Sequence, residues 1–305
     1  MKTPVVFYGT SPFAVPSLEA LVRDERFEIV CVITQPDRPA GRKGDLAKSA
    51  IKLAAERHGL RIEQPENLKT DECVEAFQTI GGELGVVASY GQIIPQRVLN
   101  LYSKQMINVH ASLLPEYRGA SPINAAIRDG KDETGVTIMI MDAKMDHGPM
   151  LAMAAEPIRE DDTTATLTPR LAELGATLLL ATLPGYLDGS IKPVEQDHDK
   201  ATFVKLLARE DGKLDSTKSA VELERLVRAM DSWPGTYFEY EGKRLKVLKA
   251  SIGPDTDKPV GTLFVVNDEL CLACVSRSSL RLNEVQPEGK KAMPGSAFLR
   301  GARIN

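Results

Sequence analysis

Four cysteines in 305 residues are too few for a disulfide framework, and a reduced, cytoplasmic protein is the default expectation. Long apolar runs are missing too. The longest, near Ala176–Thr182, falls well short of the roughly 18 residues a membrane span needs. The opening Met1-Lys2-Thr3-Pro4 leads into a short apolar stretch broken by Gly9 and Pro12, without the pattern of a signal peptide. Positive charge is in deficit: 38 Lys and Arg against 42 Asp and Glu leave a net −4, which argues against a generic nucleic-acid binder. The deficit is uneven. Residues 205–305 carry 17 Lys and Arg against 14 Asp and Glu (+3), and residues 1–204 carry 21 against 28 (−7), so the C-terminal part permits a polyanionic partner.

Several motifs are absent or incomplete. Gly9-Thr10-Ser11-Pro12 follows the first apolar run, in the place of a dinucleotide fingerprint, but lacks the second and third glycines that let backbone approach a pyrophosphate. No Gly-x-x-x-x-Gly-Lys-Ser/Thr loop occurs. Cys271 and Cys274 have the spacing of half a zinc site, yet no second pair exists and positions i and i+3 of a strand point to opposite faces. With no cluster at ligand spacing, no metal is expected.

The chain has a globular composition, 43% hydrophobic and 26% charged, and its length predicts two domains. Strand-like runs at Pro4–Tyr8, Glu28–Thr34, Leu84–Ser89, Met106–His110 and Val136–Met141 alternate with helical stretches such as Ser17–Asp24 and Lys48–His58. Runs apolar on both faces and separated by helices predict a Rossmann-like, doubly wound α/β domain over residues 1–189. A helix over about Thr163–Leu187, broken near Pro184-Gly185, closes it. A polar linker follows at 190–207. Over 208–305 one helix, Ala220–Met230, precedes short alternating runs with turn signals every 8–12 residues, which predicts a small β-barrel. Ligands in doubly wound sheets sit beyond the carboxyl ends of strands, so the loops after Tyr8, Thr34, Ser89, His110 and Met141 are where chemistry is expected.

One strand carries an unusual pair. Asn108 and His110 are two apart, so both side chains leave the same face, where a polar pair is costly unless satisfied or used. The plain alternative is a structural hydrogen-bonded pair. A loop stiffened by prolines, Ser112-Leu113-Leu114-Pro115-Glu116-Tyr117-Arg118-Gly119-Ala120-Ser121-Pro122, follows, and its two leucines offer a surface for a flat apolar ligand. Downstream, Asp146 lies in a turn next to His147 and Gly148. Asn, His and Asp meeting without a Ser or Cys nucleophile suit direct attack by an external amine. Asn108 and His110 could polarise a carbonyl and hold its oxyanion, while Asp146 tunes His110 or takes the amine's proton. Either His110 or Asp146 can be the acceptor. His147 reads as a solvated turn histidine, and Met139, Met141, Met145, Met150 and Met153 read as core.

Asn108-x-His110-x-Ser112-Leu113-Leu114-Pro115-x-Tyr117-Arg118-Gly119-x-x-Pro122 with the later Asp146 resembles the 10-formyltetrahydrofolate-dependent formyltransferases. The likeness runs from Val6 to Arg303. Three further stretches resemble the branch of that family acting on initiator tRNA: Thr34-Gln35-Pro36-Asp37-Arg38-Pro39-Ala40-Gly41-Arg42; Trp233-Pro234-Gly235 before Tyr237-Phe238; and Gly289-Lys290-Lys291-Ala292-Met293 before Phe298-Leu299-Arg300-Gly301. The resemblance implies a C-terminal barrel of oligonucleotide-binding (OB-like) type. It implies catalytic roles for Asn108, His110 and Asp146. It implies a folate site lined by Ser112, Leu113, Leu114, Pro115, Tyr90 and Gly91, with 10-formyltetrahydrofolate as formyl donor and methionyl initiator tRNA as acceptor. It also implies tRNA contacts from Arg38, Arg42, Lys43 and Lys48 and from Lys290 and Lys291. Where relatives carry a more basic stretch, this chain has Lys43-Gly44-Asp45-Leu46, and Asp45 weakens the local field. The Lys and Arg at 243, 244, 246 and 249 are further backbone-contact candidates. A monomer is expected. The competing readings are a formyltransferase for a small amine (a ribonucleotide or nucleotide-linked sugar), a formyltetrahydrofolate hydrolase, or a non-catalytic RNA-binding or folate-storage protein.

Overall fold

The computed structural model describes residues 1–40 and 45–299 and divides into two compact units. The chain starts with β1 (Thr3–Gly9), α1 (Val15–Arg23), β2 (Phe27–Ile33) and a small hairpin of β3 (Arg38–Ala40) and β4 (Asp45–Ala47). Next come α2 (Ala50–Arg57), β5 (Ile62–Glu63), α3 (Asp71–Gln78), β6 (Leu84–Ala88), α4 (Gln96–Leu99) and β7 (Met106–His110). Then follow β8 (Arg118–Gly119), α5 (Pro122–Arg128), β9 (Glu133–Ile140), β10 (Met150–Pro157), α6 (Thr164–Leu187) and β11 (Phe203–Val204). The helices begin where the sequence supplies caps: the Ser49 and Thr70 side chains accept from the N–H groups of Lys52 and Cys73, and Pro16 stands at the start of α1.

The first unit is built on a seven-stranded sheet ordered β10-β9-β7-β6-β1-β2-β5. The five strands from β7 to β5 are parallel and covered on both faces, as their apolar runs predicted. The order reverses direction at β1, the mark of a doubly wound sheet. The sheet is not wholly parallel: β9 pairs antiparallel with β7, and β10 antiparallel with β9. Strand β10 had no counterpart in the sequence reading. It is an edge strand open on one face, which is why Met153 is 49% exposed rather than core, and Met145, in the preceding loop, is 58% exposed. The expected break in α6 is corrected too. The helix runs unbroken through Pro169 and Pro184. Pro184 lies in the last turn, where a missing N–H costs one bond and the chain continues with Asp188 N–H donating to the Pro184 carbonyl at 3.0 Å. No helix among the described residues is long and apolar enough to cross a membrane.

The second unit takes in Ile123–Asp132, Ile158–Leu167 and everything from Lys205 onward. Its elements are α7 (Ala220–Ala229), β12 (Thr236–Tyr240), β13 (Lys243–Ile252), β14 (Leu263–Val266), β15 (Glu269–Ala273), β16 (Ser279–Pro287), β17 (Met293–Pro294) and α8 (Gly295–Leu299). The strands form an antiparallel sheet ordered β12-β13-β16-β15-β14, with β17 pairing on β16. Helix α7 opens on a reciprocal Ser219–Glu222 capping box and buries Ala220, Leu223, Leu226 and Val227 on one face. The α7 end is fastened by Asn124 and Thr164, whose side chains donate to the Ala229 carbonyl at 2.6 and 2.7 Å.

Cys271 packs with Phe264 and Ala273, whereas Cys274 belongs to the larger core around Leu223, Leu272 and Leu280, so the two thiols occupy different apolar clusters. Burial pushes the Cys31 and Cys274 thiols up to about 11 and raises Cys271 as well. Cys73 alone of the four is half-buried. A thiol reagent applied to the folded protein should therefore label Cys73 and spare the other three, as read by intact mass and peptide mapping. Rapid labelling of Cys31, Cys271 or Cys274 without denaturant would contradict this packing.

Candidate active site

The polar pair on β7 stands as its spacing requires. Ile107 and Val109 are buried on one face of the strand, with Val109 set against Gly175 of α6, where a Cβ would come within 2.8 Å of its methyl group. Asn108 and His110 leave the other face. Asp146 joins them by an unexpected route. Because β9 is antiparallel to β7, with Ile140 beside Ile107 and Thr137 beside His110, the chain leaves β9 at the far end of β7 from His110. The loop expected beyond the carboxyl ends of parallel strands is thus corrected: residues 141–149 fold back over the sheet face, and Asp146 comes down onto Asn108.

The contacts at Asp146 are specific. Asn108 Nδ2 donates to Oδ1 at 3.2 Å, and the Gly119 N–H donates to Oδ2 at 2.8 Å. His110 Nδ1 lies 3.7 Å from Oδ1, and His110 Nε2 sits 3.0 Å from the Tyr117 carbonyl. A carbonyl only accepts, so Nε2 carries the hydrogen. In the neutral ring Nδ1 then faces the carboxylate with a lone pair. That pairing is favourable only when a proton lies between them, on the ring, on the acid or on a molecule bridging the gap. The 3.7 Å separation exceeds a direct hydrogen bond. The His110 ring and the Asp146 carboxylate thus face one another, with an amide donor beside them.

The loop after β7 divides its labour. Ser112 and Leu114 are buried and hold the loop closed. The Ser112 hydroxyl donates to the Glu116 carbonyl at 2.6 Å, and Thr137 Oγ1 takes the Leu114 N–H at 3.1 Å while donating to the Ser112 carbonyl at 2.7 Å. Leu113 and Pro115 are half-buried and remain available at the surface. Tyr90, just beyond β6, turns its ring into the core, edge-on to Tyr8 at 5.5 Å. Its carbonyl accepts from Thr10 Oγ1 at 2.8 Å and Gln35 Nε2 at 2.9 Å. With its ring in the core and its carbonyl held by two donors, Tyr90 can meet a ligand through its backbone N–H. Gly91 follows at φ +82°, and a Cβ there would fall 2.5 Å from the Gln35 amide nitrogen. Ile93, 73% exposed, adds apolar surface to the same loop.

The cationic candidates fare differently. Arg42 and Lys43 lie outside the described residues. Arg38 and Lys48, at the two ends of the β3–β4 hairpin, are paired with Glu66 at 2.6 Å and Glu56 at 2.8 Å, which offsets much of their charge. Lys290 and Lys291 are exposed in the turn between β16 and β17. Arg244 and Lys246 alternate with buried Leu245 and Val247, so they share the outward face of β13. Lys243 is exposed too, while Lys249 reaches Glu284 at 3.5 Å. Among the described residues no group of three or more His, Cys, Asp or Glu is placed to hold a metal ion.

Sequence reasoning missed the backbone partners, the Tyr117 carbonyl and the Gly119 N–H, and it read His147 as solvated. His147 is instead half-buried, bonded through Nδ1 to Asp142 Oδ2 at 2.7 Å and stacked on His198 with ring centres 4.1 Å apart. No local signal in the sequence marks that pairing of residues 51 positions apart.

Residues 1–183 match the family model described as formyl transferase, and residues 206–303 match that of the formyl transferase C-terminal domain. The methionyl-tRNA formyltransferase of Roseiflexus castenholzii (strain DSM 13941 / HLO8) is 44% identical over 306 residues, covering 100% of this chain and 97% of that protein. That of Bacillus pumilus (strain SAFR-032) is 42% identical over 302 residues, covering 98% and 95%. Among solved structures, the N-formyltransferase of Helicobacter canadensis, in complex with folinic acid and dTDP-3-aminofucose, shares the fold at a TM-score of 0.67 and 15% identity, covering 94% of this chain and 100% of that one. HypX of Aquifex aeolicus with tetrahydrofolic acid does so at 0.63 and 18%, covering 99% and 48%.

Gly119 carries the anchor for Asp146 Oδ2 at φ +114°, and a Cβ there would lie 2.1 Å from the Val204 carbonyl oxygen. Gly119→Ala should lower stability by about 1–3 kcal/mol through backbone strain, seen as a melting temperature several degrees lower. An unchanged melting temperature would contradict this packing.

Proposed function

The chain belongs to the formyl transferase family, and from that premise we propose that it transfers a formyl group from 10-formyltetrahydrofolate to the α-amine of methionyl initiator tRNA. The observation that carries this reading is the convergence of Asn108, His110 and Asp146, with the ring Nδ1 facing the carboxylate Oδ1. The relatives named methionyl-tRNA formyltransferase, at 40–44% identity over nearly the whole chain, support this acceptor over a small amine or hydrolysis. In this division of labour residues 1–189 carry the chemistry, the stretch at 190–207 packs on the same unit through Gln196 and β11, and 208–305 serve the tRNA.

The residues fit a folate-type donor. Leu113, Pro115 and Ile93 supply apolar surface for a flat heteroaromatic ring, and the Tyr90–Gly91 backbone can meet its polar edge. When bound, 10-formyltetrahydrofolate supplies the activated one-carbon unit. An esterified α-amine is less basic than a lysine side chain, so much of it is neutral and nucleophilic near neutral pH. As nitrogen attacks the formyl carbon, Asn108 Nδ2 donates to the oxygen that gains charge. The proton released from the amine is held by the His110–Asp146 pair, whose ring is kept in place by the Tyr117 carbonyl and whose carboxylate is kept in place by Gly119 N–H. The same pair can return that proton to the departing nitrogen of the donor. No covalent enzyme intermediate is needed.

For the acceptor, the outward cations Arg244 and Lys246, with exposed Lys243, Lys290 and Lys291, would meet phosphates and position the tRNA without reading sequence. Arg42 and Lys43 are proposed contacts of the same kind. Asn108→Ala should lower kcat about 10²–10³-fold and His110→Ala about 10²–10⁴-fold, with the KM for tRNA little changed. Wild-type kcat in both variants would refute the site. Charged initiator tRNA should be formylated in strong preference to charged elongator methionine tRNA, with a KM that rises steeply with salt. Equal use of the two would sink the acceptor assignment.

A further inference from the structure

Asp146 adopts φ +45°, a left-handed conformation that a residue with a Cβ holds only under constraint. The constraint comes from a side chain in the polar stretch after α6. Gln196, 4% exposed, donates from Nε2 to the Asp146 carbonyl at 3.0 Å and to the Gly148 carbonyl at 2.7 Å. Its Oε1 in turn accepts from Arg118 Nε at 3.1 Å and Nη2 at 2.7 Å. Arg118 is 3% exposed and only donates, so it dictates which way the amide faces. Turning the amide over would set oxygen against two carbonyls and NH2 against a guanidinium, losing all four bonds. The same guanidinium donates to His198 Nδ1 at 2.9 Å, and His198 stacks on His147 of the Asp146 loop. Gly148 leaves no slack on the other side, since a Cβ there would lie 2.1 Å from the Ile140 carbonyl oxygen.

We propose that Gln196 is a positioning residue for the transfer reaction: its two N–H bonds hold the strained Asp146 backbone so that the carboxylate stays on Asn108 and His110. The inference rests on the reading of Asp146 given above. Gln196 touches neither substrate nor the reacting atoms. It acts by clamping the carbonyls that flank the turn, and Arg118 locks the clamp. A displacement of about 1 Å in a reacting group can cost about 100-fold in rate, so the expected signature is a loss in kcat with both KM values kept.

Gln196→Glu separates this role from plain packing. The carboxylate keeps volume and gains an ion pair with Arg118, which supports the folded state, but it has no N–H for the two carbonyls and sets an oxygen against them. Expected are a folded protein that melts below wild type, a kcat about 10–100-fold lower, and unchanged KM for tRNA and folate. Gln196→Ala should lose a similar factor in kcat and melt earlier. In an Asp146→Asn background, Gln196→Glu should add little further loss, because the two act on one element. Wild-type kcat for Gln196→Glu beside a crippled Asp146→Asn, or losses that multiply in the double variant, would overturn the clamp and leave the Asp146 reading standing. Full activity in Asp146→Asn would remove that reading, and the clamp with it.

Discussion

Asp146 is fastened at both carboxylate oxygens, Oδ1 by the Asn108 amide and Oδ2 by the Gly119 N–H, and its own carbonyl is bonded to Gln196. A half-buried carboxylate needs such partners, because each unsatisfied lone pair removed from water carries a desolvation cost. Those partners come from β7, β8 and the chain after α6. The site therefore depends on a long-range closure rather than on one motif. Tyr117 completes it from the other side by fixing the His110 tautomer, which turns Nδ1 toward the acid instead of away from it.

The reversal of β9 is what makes this closure possible. A doubly wound sheet with only parallel strands would release every following loop at the carboxyl end, beyond His110. Here β9 delivers its loop at the opposite end, beside the start of β10, where Met150 pairs with Met139, and the loop folds over the face of the sheet before rejoining it there. The return path carries Asp146 over Asn108, and it buries the loop's carbonyls where an amide from residue 196 can take them. The positive φ of Asp146 and the close fit of Gly148 are local consequences of that path.

Much of the architecture was legible in sequence because it rests on periodicity and on residues with hard local preferences. Both-sided apolar runs marked the parallel strands, and short alternating runs with turn signals every 8–12 residues marked the antiparallel strands of the C-terminal unit. Edge strand β10 escaped because its burial alternates while its residues, Met150–Pro157, are nearly all apolar. The supposed break in α6 failed because the long helix absorbs both Pro169 and Pro184, each at the cost of one bond to the carbonyl four residues earlier. Of the site, the shared face of Asn108 and His110 was readable from a spacing of two. The grouping with Asp146 was read from residue types, and its geometry was not.

By itself the sequence determined which side chains can do chemistry, that Asn108 and His110 project together, and that the surrounding strands are buried. These follow from covalent geometry and local hydrophobic pattern, which act over a few residues. Only the tertiary structure decided that β9 runs backwards, that Ser112 and Leu114 hold their loop rather than line it, that Tyr90 offers backbone instead of ring, and that Gln196 in an apparently featureless polar stretch grips the Asp146 turn. Each of those outcomes pairs groups tens of residues apart, and hydrogen bonds at that separation are chosen by how the layers pack, not by neighbours along the chain.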